Sequence, residues 1–155
     1  MNMPRIKAAP VKKTLRVNAT SNHAFEVFTA RFDAWWPKSH HIGKADIKEA
    51  VIEPRAGGRW YETGVDGSEC EWGRVLVWEP PHRLVLSWRI NAKFVIDETV
   101  ASEVEVRFVD EGAGVTRVDF EHRIEAEDAE TMRGMVDAPN GWTAILEQFR
   151  ALASQ

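Results

Sequence analysis

The sequence predicts an α+β domain: one curved antiparallel sheet with a long helix at the C-terminus to cover it. Three observations carry this. Between residues 46 and 123, apolar and polar residues alternate with period two, in short runs separated by turn signals. No helical stretch divides those runs, whereas parallel strands need crossover helices. The closing "GWTAILEQFRALA" changes to a helical period, with Trp142, Ile145, Leu146, Phe149 and Leu152 on one stripe.

The elements follow in order. Residues 1–10 are basic and interrupted by Pro4 and Pro10, which reads as a flexible N-terminus before a single domain over 11–155. "VKKTLRVN" alternates as a first strand with a polar outer face. "ATSNHAFEVFTARFDAWW" then takes a helical period, with Ser21 as N-cap and Phe25, Phe28, Phe32 and Trp35 or Trp36 recurring. Pro37 ends that helix, or a pair of short ones, because it lacks the amide an interior turn needs.

"DIKEAVIEP" and "GRWYET" are strands joined by the glycine turn "RAGG", and Asp66-Gly67 leads into "SECEWGRVLVWE". "EPPH" breaks the chain before "RLVLSWRI", where Leu84, Leu86, Trp88 and Ile90 share a face. In "SEVEVRFV", Val104, Val106 and Phe108 alternate with Glu103, Glu105 and Arg107. "DEGAG" turns it into "VTRVDFEH", with Val118, Phe120 and His122 on one side. "IEAEDAETMRGMVDAP" fits either a short helix or a loop, and Asn140 is placed to cap the last helix.

The 155 residues suit one domain able to bury its own core. A net charge of −4 with scattered basic residues argues against nucleic acid, which wants a concentrated cationic face. The basic start has no apolar run after it, so it is neither a signal peptide nor a membrane span. The single Cys70 rules out an internal disulfide and a thiolate metal cluster, and a cytoplasmic location follows as the default. The seven tryptophans, with seven phenylalanines and one tyrosine, must fill a core or line a pocket.

This order of elements resembles the helix-grip fold of the SRPBCC superfamily, which includes START-type lipid carriers and pollen-allergen-like ligand binders. More narrowly it resembles the domain shared with the activator of heat-shock protein 90 ATPase. The residues that carry the likeness are "ATSNHAFEVFT", "IEPRAGGRWYE", "WGRVLVWEPPHRLVLSW", "ASEVEVRF" with "GVTRVDFEH", and the closing "GWTAILEQF". They run from about Val11 to Leu152 and are structural motifs, which specify a fold better than a chemistry. The resemblance implies about seven strands wrapped around the C-terminal helix, a helical pair after the first strand, and a cavity between sheet and helix that opens near that pair.

Such a cavity is costly when empty: a dry void of ~300 Å³ costs ~7 kcal/mol at about 24 cal/mol per Å³. It must be solvated, occupied by a ligand, or closed by large side chains. Trp60, Trp72, Trp88 and Trp142 fit core packing and pocket lining alike, and Phe120 joins them on the inner face. Glu53, Glu62 and His122 are the polar residues of interest: Glu62 shares a strand face with Trp60, and an inward His122 needs a partner, such as a carboxylate. Both readings of that pair stand, a satisfied structural histidine and an acid–base couple. "RAGGR" lacks a phosphate loop's spacing and joins strands. Adjacent His40 and His41 point opposite ways in extended chain, which works against a shared metal ion. Nothing in the sequence asks for a cofactor.

Three function classes result. The first is a binding domain for a small hydrophobic or aromatic molecule, with Trp35 and Trp36 at the base of a gate in "FDAWWPKSHHIG" and the histidines on its mobile side. The second is an enzyme of polyketide-cyclase or hydrolase type using Glu62 and His122. The third is a chaperone-associated partner domain. The full activators carry an additional domain ahead of this one, whereas only residues 1–10 precede the first strand here, which counts against that role. A homodimer is open, without an interface signal. The binding domain is the reading the aromatic excess favours.

Overall fold

The polypeptide folds into a seven-stranded antiparallel sheet that curls around its C-terminal helix. The structure, a computed structural model, describes residues 5–155. Its strands are β1 (Ile6–Lys7), β2 (Val11–Val17), β3 (Ile47–Ile52), β4 (Arg59–Gly64), β5 (Glu69–Glu79), β6 (Arg83–Trp88), β7 (Ser102–Asp110), β8 (Thr116–Arg123) and β9 (Glu125–Ala126). The helices are α1 (Ser21–Thr29), α2 (Phe32–Trp35), α3 (Ala129–Val136) and α4 (Trp142–Ala153). The sheet order is β2-β8-β7-β6-β5-β4-β3, every neighbour antiparallel. This is the predicted α+β helix-grip architecture, with the helical pair as α1 and α2.

Of the stretch expected to be flexible, residues 1–4 lie outside the described part of the chain, and Ile6–Lys7 pair with Glu125–Ala126 in a separate two-stranded ribbon. The open segment before the last helix is α3.

Alternation decides which side of each strand is buried. β8 is regular throughout, with Thr116, Val118, Phe120 and His122 inward and Arg117, Asp119, Glu121 and Arg123 outward. β7 breaks the rule at Glu105, which is inward-grade in burial at 7% exposure yet sits on the charged face. Arg83, Arg107 and Arg123 each reach it at 2.8 Å. Burial opposes its ionisation, but the hydrogen bonds from Arg83 and Arg123 outweigh that and hold its carboxyl below the usual range.

Two helix starts differ from the sequence reading. Thr20, in extended backbone, caps α1 by accepting from the His23 amide at 3.2 Å. Ser21 is the first helical residue, and its hydroxyl meets that of Thr116. At α4 the cap position is Gly141 rather than Asn140, with no side-chain cap bond. Packing sets that start: a Cβ at residue 141 would lie 2.1 Å from the Val136 carbonyl oxygen.

Curvature comes from register shifts between Ile47 and Glu49, between Trp60 and Tyr61, and between Val75 and Val77. Gly73 sits at the tightest point. It pairs with Trp60, and a Cβ there would meet the Ser87 carbonyl oxygen at 1.9 Å. The sheet can therefore fold over the helix only with no side chain at this position. α4 turns Trp142, Ile145, Leu146 and Phe149 into the concave side, where α1 packs across it.

Gly73→Ala is expected to lower stability by roughly 1–3 kcal/mol through forced backbone displacement. Gly134→Ala, on the open face of α3 with nothing near its would-be Cβ, is expected to raise it by about 0.5–1 kcal/mol. Urea denaturation of the two variants beside the parent checks the contrast.

Candidate functional site

The concave side is filled by indoles. Trp36, Trp72, Trp60, Trp88 and Trp142 close a ring, each in contact with the next at centroid separations of 5.1, 5.3, 5.6, 5.6 and 6.0 Å. All five are at most 6% exposed. They arrive from α2's C-cap, β5, β4, β6 and α4, so the ring ties the helices to both halves of the sheet. Phe32 stacks on Trp36 and meets Trp60 and Trp72 edge-on. Phe120 packs on Trp142 at 4.6 Å. Trp35 packs from the helical side, against Phe28, Phe32, Trp36 and Phe149, with its indole N–H donating to the Val27 carbonyl at 3.0 Å.

His122 is fully buried beside this ring, 4.8 Å from Trp88. The indole N–H of Trp142 donates to its Nδ1 at 2.9 Å. An indole nitrogen can only donate, so Nδ1 carries the lone pair and the proton of the neutral ring sits on Nε2. Burial, and then the nearby Arg123 charge, push the imidazole's pKa down to about 3. His122 is thus a neutral Nε2–H donor at ordinary pH. Among the described residues that N–H has no partner, and neither does the buried Nε1–H of Trp60. The partner proposed from sequence, a carboxylate, is replaced by Trp142.

Glu62 serves a different purpose. Its Oε1 accepts from Trp72 Nε1 at 2.9 Å, from the Gly43 amide at 3.0 Å and from the Ile42 amide. A buried carboxylate satisfied by three N–H groups is an anchor, and it fastens the loop after α2 to the sheet. Glu62 and His122 are not hydrogen-bonded to each other; each is bonded to a different indole, Trp72 and Trp142. Glu53 braces the turn after β3 by accepting from the Arg59 amide at 2.7 Å. Cys70 has its thiol pKa pushed up to about 11, by burial first and by Glu62 second, which removes thiolate character.

The floor formed by Trp88 and Trp142 is reached through two adjoining crevices. One, of about 100 Å³, lies among His40, Phe94, Met135, Val136, Trp142 and Ile145. The other, of about 10 Å³, lies among Trp88, Ile90, Phe94, Met132, Met135 and Val136. Two larger hollows of about 300 and 580 Å³ open elsewhere, one beside the Arg123 ion pairs and one at the start of α1. Neither borders the indole ring, whereas the two smaller crevices do, at Trp142 and Trp88.

The segment "FDAWWPKSHHIG" borders this mouth through His40, whose Nε2 lies 3.1 Å from the Asn140 carbonyl and whose own carbonyl accepts from Trp36 Nε1. His41 turns away, 2.7 Å from the Gly43 carbonyl. Among the described residues, no three His, Cys, Asp or Glu side chains gather to hold an ion. The structure brings together Trp36, Trp60, Trp72, Trp88, Phe120, His122 and Trp142, and leaves Trp35 and Glu62 at the margin. Sequence reasoning passed over Phe94, Met132 and Met135. "MRGM" on a half-apolar stretch and an asparagine-led turn in "NAKF" were the available signals.

A family model described as "Activator of Hsp90 ATPase homolog 1-like protein" matches residues 18–154. Among solved structures, the anthrahydroquino-Gama-pyrone synthase Txn09 is 37% identical, with 94% of this chain and 97% of that chain covered and a TM-score of 0.62. The self-sacrificing resistance protein CalC from Micromonospora echinospora is 32% identical over 93% of both chains, with a TM-score of 0.68. Protein NE0264 from Nitrosomonas europaea shares the fold at 15% identity and a TM-score of 0.68. No curated protein matches. No helix among the described residues is long and apolar enough to cross a membrane.

Because the folded imidazole's pKa lies near 3 and the unfolded one near 6.5, the unfolded chain binds the extra proton between those values. Stability contributed by neutral His122 is therefore complete above pH ~6.5 and lost as pH falls toward 3. His122→Gln removes this dependence: the stability gap between parent and variant should narrow by on the order of 3 kcal/mol from pH 7 to pH 4. Urea midpoints across that range measure it. Trp36→Ala is expected to cost roughly 3–5 kcal/mol, because it opens the indole ring and releases His40. A thermal melt decides whether that residue is structural in this sense.

Proposed function

We propose a ligand-binding function from one premise: the chain belongs to the Activator of Hsp90 ATPase homolog 1-like family. The occupant is a flat aromatic molecule carrying acceptor oxygens, held against the indole ring behind the mouth formed by α3, the 91–96 turn and the start of α4. The observation that carries this reading is the pair of buried, unpartnered donors, Trp60 Nε1–H and His122 Nε2–H. A buried donor left unmade costs about 1–3 kcal/mol, so a ligand carbonyl or phenolic oxygen reaching either one recovers that amount. Both donors flank Trp88, whose ring lines the inner crevice.

The likeness to a synthase named for an anthrahydroquino-Gama-pyrone supports a role around polycyclic, oxygen-rich molecules. A second reading, catalysis, is favoured by the 37% identity to the synthase. In that case His122 acts as a neutral electrophile, donating to a carbonyl whose oxygen gains charge, as its low pKa suits it to donate and not to abstract.

Anthraquinone-2-sulfonate and anthracene-2-sulfonate share a three-ring frame and differ in two carbonyls. Isothermal titration calorimetry is expected to show the quinone binding about tenfold or more tightly, the worth of one hydrogen bond. His122→Phe should erase the difference while binding of the hydrocarbon persists. Equal affinities for the parent protein would overturn the acceptor-oxygen reading.

A further inference from the structure

The open crevices are smaller than the ~300–1,000 Å³ of most ligand pockets, so a ligand enters only if side chains at the mouth move. One side chain lines both crevices from the turn that faces α3: Phe94. We propose that Phe94 is the specificity-determining residue of this mouth, stacking on a flat aromatic ligand once it has entered and closing it against Met135 and Val136. This rests on the ligand-binding reading above and names what selects the ligand's shape.

Four observations converge. Phe94 has a φ of +58°, in the left-handed region that bulky residues avoid and glycine or asparagine take readily. The residue is 50% exposed, so core burial does not explain why an aromatic sits there. Among the described residues it has no aromatic partner, although the interior a few residues away is a continuous aromatic cluster. Its surroundings are Met132 and Met135, unbranched side chains that reshape easily around a guest.

The backbone around it is held so that it cannot relax. Asn91 Oδ1 accepts from the Lys93 amide at 2.9 Å and the Val95 amide at 3.2 Å. The Phe94 amide donates to the Asn91 carbonyl at 3.0 Å, and the Asn91 amide donates to the Val95 carbonyl at 2.9 Å. Asn91 Nδ2 reaches Asp97 at 3.3 Å, and Ile90 bridges Ile96 below. Strain held in place by this many bonds, at the lip of a binding crevice, is what a positioned recognition residue looks like.

The test uses Phe94→Gly, Phe94→Leu and Phe94→Tyr in the full chain, with two probes: anthraquinone-2-sulfonate, which is flat, and decane-1-sulfonate, which is not. Phe94→Gly relieves the backbone strain, so its melting temperature should equal or exceed the parent's while its Kd for the flat probe rises tenfold or more. Phe94→Leu should weaken the flat probe alone and so erode the preference, and Phe94→Tyr should restore it. Variants that bind both probes as the parent does, or lose both in equal measure, overturn the proposal while leaving the ligand-binding reading intact. A parent protein that binds neither probe overturns both.

Discussion

The hydrogen bond from the Trp142 indole to His122 Nδ1 joins the last helix to β8, the strand beside the sheet's edge, and much else depends on it. It sets where α4 lies over β8, because the donor is the helix's first residue and the acceptor the inward end of the strand. It also fixes the imidazole tautomer, since an indole cannot accept. With Nδ1 occupied, the proton of a neutral ring must sit on Nε2, and Nε2 is buried with no polar partner among the described residues. One bond therefore gives the structure a join between helix and sheet and a donor held in reserve.

Around that join, the aromatic ring replaces the void that this fold would otherwise have to solvate. Five indoles, each touching the next around the ring, supply dispersion contacts that keep the interior of the curved sheet dense beside its aliphatic residues. The arrangement is asymmetric in polarity. On one flank, Glu62 satisfies Trp72 and two loop amides, so that side is closed and rigid. Beside Trp88, the donors of Trp60 and His122 have no partner among the described residues, and the crevice that Trp88 lines is walled by methionines and the Phe94 turn. Binding chemistry is expected where polar groups are unmet and side chains can move, and both conditions meet at Trp88.

Much of this was legible in the chain. Period-two runs gave the strands, and the inward face of β8 could be read residue by residue down to His122. The aromatic composition announced an interior of rings. Less legible were the helix starts: Thr20 and Gly141 take the cap positions because of extended backbone at one and a close carbonyl at the other, neither of which is a pattern of residue types. The role of Glu62 was also hidden. An inward carboxylate between aromatics looks like a catalytic group until the amides of Ile42 and Gly43, about 20 residues away, are seen to converge on it. Phe94 gave almost no signal, because its meaning lies in a dihedral angle and in the helix it faces.

By itself, then, the sequence determined the class of fold, the order and facing of the strands, the amphipathic closing helix and the absence of a disulfide framework. These follow from local periodicity and composition, which act through neighbours in the chain. Only the tertiary structure decided which indoles touch, which nitrogen of His122 holds the proton, which carboxylate is an anchor and which turn guards the mouth. Those depend on pairs of groups far apart in sequence whose directions are set by the curl of the sheet, and direction is what a string of residues does not contain.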